Sequence, residues 1–162
     1  MSLAYSPDGR WLASAGYDKI IRLWDLKTGR SHELKGHAGS VNALAFSHAG
    51  KDDLLLASAS SDKTIRVWNV ARRKEDFKLE GSPGPVQSLA FHPQGRRLVS
   101  IGSDRMIRLW DTVTRQEILE FEEHLGTLRS VAFSADGRSL AGAGNGVVRV
   151  WQASKEMPGD AK

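Results

Sequence analysis

Cysteine is absent from this 162-residue chain, which excludes disulfides, thiolate nucleophiles and cysteine-based zinc sites. Aromatic residues are also few, at 7% of the chain. No apolar run approaches the roughly 20 residues that a membrane-spanning helix needs. The amino terminus, MSLAYSPDGR, has neither the basic start nor the apolar segment of a secretory signal. These absences predict a protein without membrane segments and, by default, a cytoplasmic one.

The rest of the composition is that of an ordinary globular domain. Hydrophobic residues make up 40% of the chain and charged residues 26%, with a formal net charge of +4. A chain of this length can bury a core of its own. Composition therefore bounds size and class but does not by itself indicate a function.

Four of the five tryptophans recur at a regular spacing, and each closes a similar stretch of sequence. They are Trp24, Trp68, Trp110 and Trp151, separated by 44, 42 and 41 residues. The clearest copy of the unit, 36–69, reads as a Gly-His pair followed by three short apolar strands with polar turns between them. A period of this length, with several strands per unit, indicates a repeat architecture rather than one mixed domain.

The repeated unit resembles that of the WD-repeat β-propeller family. The resemblance rests on Gly36-His37, on an aspartate six residues before the tryptophan, and on Trp-Asp pairs at 24–25 and 110–111. It covers nearly the whole chain in four copies. It implies an all-β fold of four propeller blades, each an antiparallel sheet of four strands, arranged as an open or partial ring.

The repeats divide the chain into blades and a short tail. Four WD repeats fill 1–152, with blades predicted at about 1–35, 36–80, 81–121 and 122–152. The fourth blade is predicted to be incomplete, because no outer strand follows Trp151. The outer strand of the second blade is expected at about 76–80, after a charged turn. Residues 153–162 form a polar C-terminal tail.

Four blades are fewer than the family's usual ring of about seven, although propellers of about four to eight blades occur. We therefore expect apolar faces at both ends of the array. We favour a chain that is part of a longer propeller, and the alternative is that two copies combine into eight blades. In the second arrangement, the tract around Leu12 and Ile21 of one copy would pack against the tract around Leu140 and Val148 of the other.

In this family, a histidine before the first strand, a serine or threonine of the second strand, an aspartate of the next turn and the tryptophan indole form a hydrogen-bonded chain. The resemblance assigns these roles in the second blade to His37, Ser58 (or Ser60), Asp62 and Trp68. The other blades keep parts of the set, which are Ser14, Asp18 and Trp24 in the first, Ser100, Asp104 and Trp110 in the third, and His124 and Trp151 in the fourth. The third blade has Ser82 in place of histidine, and the fourth has Gly142 and Asn145 in place of serine and aspartate.

Serine, histidine and aspartate also suggest a catalytic triad as an alternative. A triad occurs once in an enzyme, whereas this set recurs beside successive tryptophans and has no oxyanion-hole motif. The five histidines lie at no metal-ligand spacing. The glycines at 142–146 occupy a β-turn position rather than the start of a helix. We therefore predict a non-enzymatic protein without a metal or other cofactor.

Family members bind partners mainly on the face that carries the loops before the first strand and between the second and third strands. The matching residues in this chain are Tyr17, Ser40, Asn42, Ser61, Pro85, Gln87, Ser103, Thr127 and Arg129. Tyr17 and Arg129 are the preferred candidates, because tyrosine and arginine dominate interface hot spots. The alternative is that these are solvated loop residues. The resemblance implies an interaction scaffold for protein partners that the sequence does not specify.

The turns of the opposite face are rich in basic residues. These are Arg10, Lys27, Arg30, Lys51, Arg72, Arg73, Lys74, Arg96, Arg97, Arg115 and Arg138. Such a face favours, as an alternative function, binding to a polyanion such as nucleic acid or an acidic surface. We expect no stacking aromatic residues to be interleaved with these arginines, which makes nucleic acid the less favoured partner. Solubilising charge alone would also account for them.

Overall fold

The computed structural model describes residues 1–48, 54–122 and 127–152. Within those ranges the chain forms β-strands and turns, without any helix. Accordingly, this part of the chain contains no helix of the length and apolarity needed to cross a bilayer. His124, Lys51 and the tail predicted at 153–162 lie outside the described residues.

Each repeat forms one antiparallel sheet whose strands follow one another in chain order. The first sheet contains β1 Ser2–Tyr5, β2 Trp11–Ala15, β3 Ile21–Asp25 and β4 Arg30–Leu34. The second contains β5 Val41–Phe46, β6 Leu55–Ser60, β7 Ile65–Asn69 and β8 Lys74–Leu79. The third contains β9 Val86–Phe91, β10 Arg97–Gly102, β11 Met106–Asp111 and β12 Gln116–Glu122. The fourth has three strands in the described residues, β13 Ser130–Phe133, β14 Ser139–Gly144 and β15 Val147–Gln152. The predicted all-β fold of successive blades is confirmed.

The outer strand of the second sheet begins at Lys74, earlier than the predicted 76, so Lys74 and Glu75 belong to the strand and not to the turn. The pairing register shifts between Val67 and Trp68, and this bulge places Glu75 opposite Trp68. A bulge adds one residue to the outer strand and increases its twist. The apolar pattern alone carries no sign of such an insertion.

Neighbouring sheets pack face to face and bury a hydrophobic core at each of the three boundaries. The inner strands β1, β5, β9 and β13 are neighbours in that order. We call the side of a sheet that meets the next sheet its leading face and the other side its trailing face. The leading face of the first sheet contributes Ile21 and Leu23 to the first core, and the trailing face of the second contributes Leu56 and Trp68. The same two surfaces meet at the other two boundaries.

This packing corrects one expectation about the ends of the array. Ile21 is fully buried in the first core, and Leu140 packs against the third core. Both side chains therefore already have neighbours within the chain. The prediction that they would meet each other between two copies is wrong, because each lies on the opposite side of its sheet from the free face.

The turns between the second and third strands depend on left-handed backbone conformations. Lys19, Lys63 and Arg105 follow the turn aspartates with φ of 66°, 73° and 66°. The fourth sheet instead uses Asn145 and Gly146, with φ of 48° and 78°. Two successive positive φ values suit a tight two-residue hairpin, for which Asn-Gly is the preferred pair. The fourth turn is thereby one residue shorter than the others.

Candidate functional site

The second sheet holds a continuous hydrogen-bonded chain from the tryptophan indole to the turn aspartate. Trp68 Nε1 donates to Ser58 Oγ over 2.9 Å. Ser58 Oγ lies 2.7 Å from His37 Nε2, and His37 Nδ1 lies 2.8 Å from Asp62 Oδ2. Ser60 is engaged differently, because its Oγ accepts from the Asp62 backbone N–H at 3.1 Å. Ser58 is thus the serine that joins the histidine to the indole.

The chemistry of the partners assigns the proton positions along this chain. A carboxylate can only accept, so His37 Nδ1–H donates to Asp62 and Nε2 accepts from the Ser58 hydroxyl. Burial lowers the pKa of His37, although the hydrogen bond to Asp62 opposes that shift. His37 is therefore neutral at pH 7, and its buried ring stabilises the local structure without carrying a charge.

Asp62 receives more hydrogen bonds than the histidine alone supplies. Thr64 Oγ1 donates to Asp62 Oδ1 over 2.6 Å, and the backbone N–H of Ala38 donates to Oδ2 over 2.9 Å. Partial burial raises the pKa of Asp62, but the hydrogen bonds from Thr64, His37 and Ala38 outweigh it, and the pKa lies well below its ordinary value. The carboxylate thus connects the loop before the first strand to the turn after the second. Thr64 was not predicted from the sequence. The one feature that could have indicated its hydrogen bond is its position two residues after the aspartate, in the same turn.

The first and third sheets keep the indole bond but hold their turn aspartates in another way. Trp24 Nε1 donates to Ser14 Oγ over 3.0 Å, and Trp110 Nε1 donates to Ser100 Oγ over 2.8 Å. The aspartates do not join these pairs. Asp18 bonds to the guanidinium of Arg22, and Asp104 lies 2.7 Å from Arg108 Nη1.

Each of the first three sheets has an arginine two residues before its tryptophan. The carboxylate that this arginine binds differs between the sheet that contains the histidine and the two sheets in which the histidine does not hold the turn aspartate. In the second sheet His37 holds Asp62, and Arg66 pairs instead with Glu75 of the outer strand. In the third sheet Arg108 is buried. Besides its contact with Asp104, its Nε lies 3.5 Å from Glu117 Oε2 and 3.3 Å from Glu120 Oε2, both on the outer strand.

The fourth sheet contains neither the serine nor the aspartate. The Trp151 ring packs edge-on against Phe121, with centroids 5.8 Å apart. A Cβ at Gly142 would lie 2.8 Å from Leu128 Cδ1 and 3.0 Å from Trp151 Cζ3. The close approach of these two side chains explains why a glycine stands at the serine position.

The predicted partner-binding residues share one face of the array. The Ser61 N–H donates to Ser40 O, and in the third sheet the Ser103 N–H donates to Pro85 O, both over 2.9 Å. Asn42 connects two sheets, since its Nδ2 donates to Ser61 Oγ at 3.1 Å and to the Val86 carbonyl at 2.8 Å. The loops of the second and third sheets thereby form one connected surface, on which Gln87 is half-buried.

The same face continues onto the first and fourth sheets. Tyr17 is 82% exposed, and the carbonyl of its neighbour Gly16 accepts from the Val41 N–H at 3.0 Å, across the first boundary. Thr127 is half-buried and Arg129 is exposed, with the Arg129 N–H bonded to the Ala143 carbonyl at 2.7 Å. The two preferred candidates, Tyr17 and Arg129, thus lie on the two end sheets rather than in one cluster. We call this surface, from Tyr17 to Arg129, the loop face.

On the opposite face, several of the basic residues lie beside acids. Arg10 Nη2 lies 3.2 Å from Asp25, Arg96 lies 3.5 Å from Asp111, and Arg115 lies 3.8 Å from Asp76. Arg10 also stacks over the Trp11 ring, and Arg115 over the Phe77 ring. The prediction that no stacking aromatic residues accompany these arginines is therefore wrong, although both rings are buried in the fold. The positive charge there is partly neutralised by neighbours within the fold.

No cluster of three or more histidine, aspartate or glutamate side chains suitable for a metal ion occurs in the described ranges. The polar groups of the second sheet hydrogen-bond to each other, and the His37 side chain is fully buried. They have the residue types of a triad but not the open nucleophile that acyl transfer requires.

Comparisons with known proteins agree with this geometry. The family model "WD domain, G-beta repeat" matches residues 1–25, 29–69, 73–111 and 115–152. U3 snoRNP-associated protein-like YAOH of Oryza sativa subsp. japonica is 46% identical over 48 residues, which cover 28% of this chain and 9% of that protein. DENN domain and WD repeat-containing protein SCD1 of Arabidopsis thaliana is 33% identical over 105 residues, which cover 62% of this chain and 8% of that protein. The matched part thus spans less than a tenth of the length of either relative. With four consecutive repeats matched and four successive antiparallel sheets, the chain belongs to the WD-repeat family.

Proposed function

We propose that this chain is a non-enzymatic scaffold that binds a protein partner through the loop face. The observation that carries the proposal is the contrast between two sets of polar residues. The set with catalytic potential is buried and satisfied internally, as in the contacts of His37 with Ser58 and Asp62. The loop face instead exposes Tyr17 and Arg129 at the ends of a hydrogen-bonded surface.

The physical properties of the loop face suit protein recognition. Its turns are held by backbone bonds between loops, so little conformational entropy would be lost on binding. Exposed tyrosine and arginine are the residue types that contribute most to interface affinity. Its polar side chains, including Asn42 and Ser61, can form rim hydrogen bonds around such anchors.

Polyanion binding by the opposite face is the competing function. Ion pairs such as Arg10–Asp25 and Arg96–Asp111 reduce the charge that face offers to an anion. The two functions differ in their dependence on salt, because affinity for a polyanion falls steeply with ionic strength.

A capture experiment tests the proposed function. Extracts of the source cells are passed over the immobilised wild-type chain, a Tyr17→Ala/Arg129→Ala variant and a Val113→Ala control, and the retained proteins are quantified by mass spectrometry. Val113 is exposed but lies in a turn of the opposite face. We expect partners that wild type and control retain equally and the double variant loses.

The extract is treated with nuclease, and the capture is repeated at high salt and with Arg72→Glu/Arg73→Glu/Lys74→Glu. Retention that survives salt and the charge reversal supports the loop face. Loss of all retained material with the triple variant, together with full retention by Tyr17→Ala/Arg129→Ala, would overturn the proposal in favour of polyanion binding.

A further inference from the structure

The two end sheets expose apolar faces that correspond to the two halves of the interface buried three times within the chain. The first half is the leading face of the fourth sheet. Val148 and Val150 are 73% and 57% exposed there. In the pairing register they stand opposite Ala143 and Ala141.

The register identifies their counterparts in the other sheets. In the second sheet Ile65 and Val67 stand opposite Ala59 and Ala57, as Val148 and Val150 stand opposite their alanines. Both counterparts are fully buried in the second core. In the first sheet, Leu23 stands opposite Ala13 and is also fully buried. The leading face of the fourth sheet therefore has the composition of an interface half, and no sheet within the described ranges packs against it.

The second half is the trailing face of the first sheet. Leu3 and Tyr5 stand opposite Ser14 and Leu12 and are 70% and 67% exposed. Their counterparts in the second sheet, Leu44 and Phe46, stand opposite Ser58 and Leu56 and are buried in the first core. The third sheet repeats the arrangement with Leu89 and Phe91, also buried.

A polar contact accompanies this apolar pairing at the first boundary and has counterparts at both ends. Ser2 Oγ accepts from the Leu44 N–H over 3.1 Å. Ser130 occupies the Ser2 position in the fourth sheet, since Ser2 pairs with Ala15 and Ser130 with Ala143. Leu3 occupies the Leu44 position. The free faces thus carry both the apolar surface and the hydrogen-bonding pair of the first boundary.

We propose that a second copy of this chain covers both faces, with the fourth sheet of each copy packed on the first sheet of the other. Because the exposed faces do not meet within one copy, the four sheets do not close on themselves. Two copies supply both missing halves at once and make a ring of eight blades, within the about four to eight that propellers use. The two seams are identical and related by a twofold axis, the commonest symmetry of protein oligomers. Val148 and Val150 of one copy would then pack against Leu3 and Tyr5 of the other.

The mass in solution tests the pairing directly. We expect light scattering to give twice the 17.8 kDa of the chain. Val148→Asp and Leu3→Asp each place a charge in both seams, and each should halve the mass. Val113→Asp makes the same kind of change at an exposed turn position away from both faces, and it should leave the mass unchanged.

Mixing the two disrupted variants reveals which faces meet. A Val148→Asp chain keeps an intact first sheet and a Leu3→Asp chain keeps an intact fourth sheet, so together they form one unaltered seam. The mixture should therefore recover a one-to-one dimer. Unfolded chains could not recover it, and Val150→Lys with Tyr5→Lys replaces either variant that fails to fold.

Three results would overturn the pairing. A wild-type chain that is monomeric and has native tryptophan fluorescence would indicate that further blades of a longer polypeptide, and not a second copy, cover the free faces. A Leu3→Asp chain that stays dimeric would indicate that two fourth sheets meet each other. A mixture that stays monomeric would exclude the seam between fourth and first sheets.

Discussion

Arg108 lies 2.7 Å from Asp104 in the third sheet, and it holds this turn aspartate where the second sheet uses His37 to hold Asp62. The carboxylate at the start of the tight turn is therefore bound in two different ways, by a histidine in the second sheet and by an arginine in the third. Where the histidine holds the aspartate, Arg66 pairs with the outer strand alone, whereas Arg108 is shared between its turn aspartate and two outer-strand carboxylates. Binding by the arginine keeps a buried positive charge, which makes the third sheet depend on charge balance.

The first prediction concerns the hydrogen bonds that converge on Asp62. Asp62→Ala leaves the buried His37 Nδ1–H without its acceptor and also removes the bond from the exposed Ala38 N–H, so we expect a loss of about 1–3 kcal/mol in the free energy of unfolding. Asp18→Ala removes an exposed aspartate from the equivalent turn and should cost clearly less. Urea denaturation of the two variants measures both, and equal losses would contradict the role of the buried network. Asn145 is a poorer control, because its positive φ favours asparagine over alanine.

The second prediction is a pH dependence caused by His37. The pKa of His37 is 6.5 in the unfolded chain and lower in the fold, so the unfolded state binds the proton first as the pH falls. The stabilisation is present above pH 6.5 and is lost as the pH falls towards the folded pKa, by at most about 1.4 kcal/mol per pH unit.

A comparison of wild type with His37→Gln isolates this titration. The other histidines are common to both chains, so their contributions cancel in the difference between the two unfolding free energies. That difference should be largest at pH 7 and shrink between pH 6.5 and 5. A difference that is constant over this interval would show that His37 does not titrate with folding.

The third prediction concerns Arg108. Arg108→Ala leaves Asp104, Glu117 and Glu120 without their shared cation, and we expect a loss of about 2–4 kcal/mol at pH 7. Burial and the charge of Glu120 raise the pKa of Glu117, whereas Arg108 opposes that rise. The destabilisation should therefore diminish as the pH falls, because the raised pKa lets Glu117 take up a proton at a higher pH than an ordinary glutamate does.

The matched control is Arg22→Ala, which removes the equivalent arginine from a more exposed position in the first sheet. It should have a much smaller effect and little pH dependence. Thermal melts of both variants at pH 7 and pH 5 decide the point. If Arg108→Ala were no more destabilising than Arg22→Ala, the buried charge would have no special role.

The fourth prediction concerns Gly142, which stands where the other three sheets have a serine. Restoring a residue shared by the other repeats usually stabilises a repeat protein, but here we expect the opposite. Gly142→Ser would supply the serine that the other sheets carry, but its Cβ would collide with Leu128 and the Trp151 ring. We expect a loss of about 1–3 kcal/mol, as for other overpacked positions. The reciprocal change, Ser100→Gly, removes the acceptor of the Trp110 indole and should also destabilise. Stabilisation by Gly142→Ser would show that the fourth sheet relaxes around the new side chain.

The sequence allowed the fold and most strand positions to be predicted, because the apolar strands and the tryptophan spacing are local signals. It did not predict the start of β8 at Lys74, since a bulge inserts a residue without altering the apolar pattern. Nor did it predict which side of a sheet Ile21 and Leu140 occupy, because both faces of these strands are apolar.

The candidate site shows the same division between local and tertiary information. The serine, aspartate and tryptophan positions follow from the repeat. The change of partner between Arg66 and Arg108 does not, because it depends on whether a loop from another part of the chain delivers a histidine. Gly142 likewise has its explanation in a distant side chain, Leu128, which the repeat pattern does not identify.

The packing of sheets in a row also has a kinetic consequence. An interior sheet is stabilised by two neighbours and an end sheet by one, and in such linear arrays local opening begins where neighbours are missing. Backbone amides of β2 and β14 should then exchange with deuterium sooner than those of β6 and β10. In a ring of two chains the row has no ends, and amides of all four sheets would exchange at more nearly equal rates.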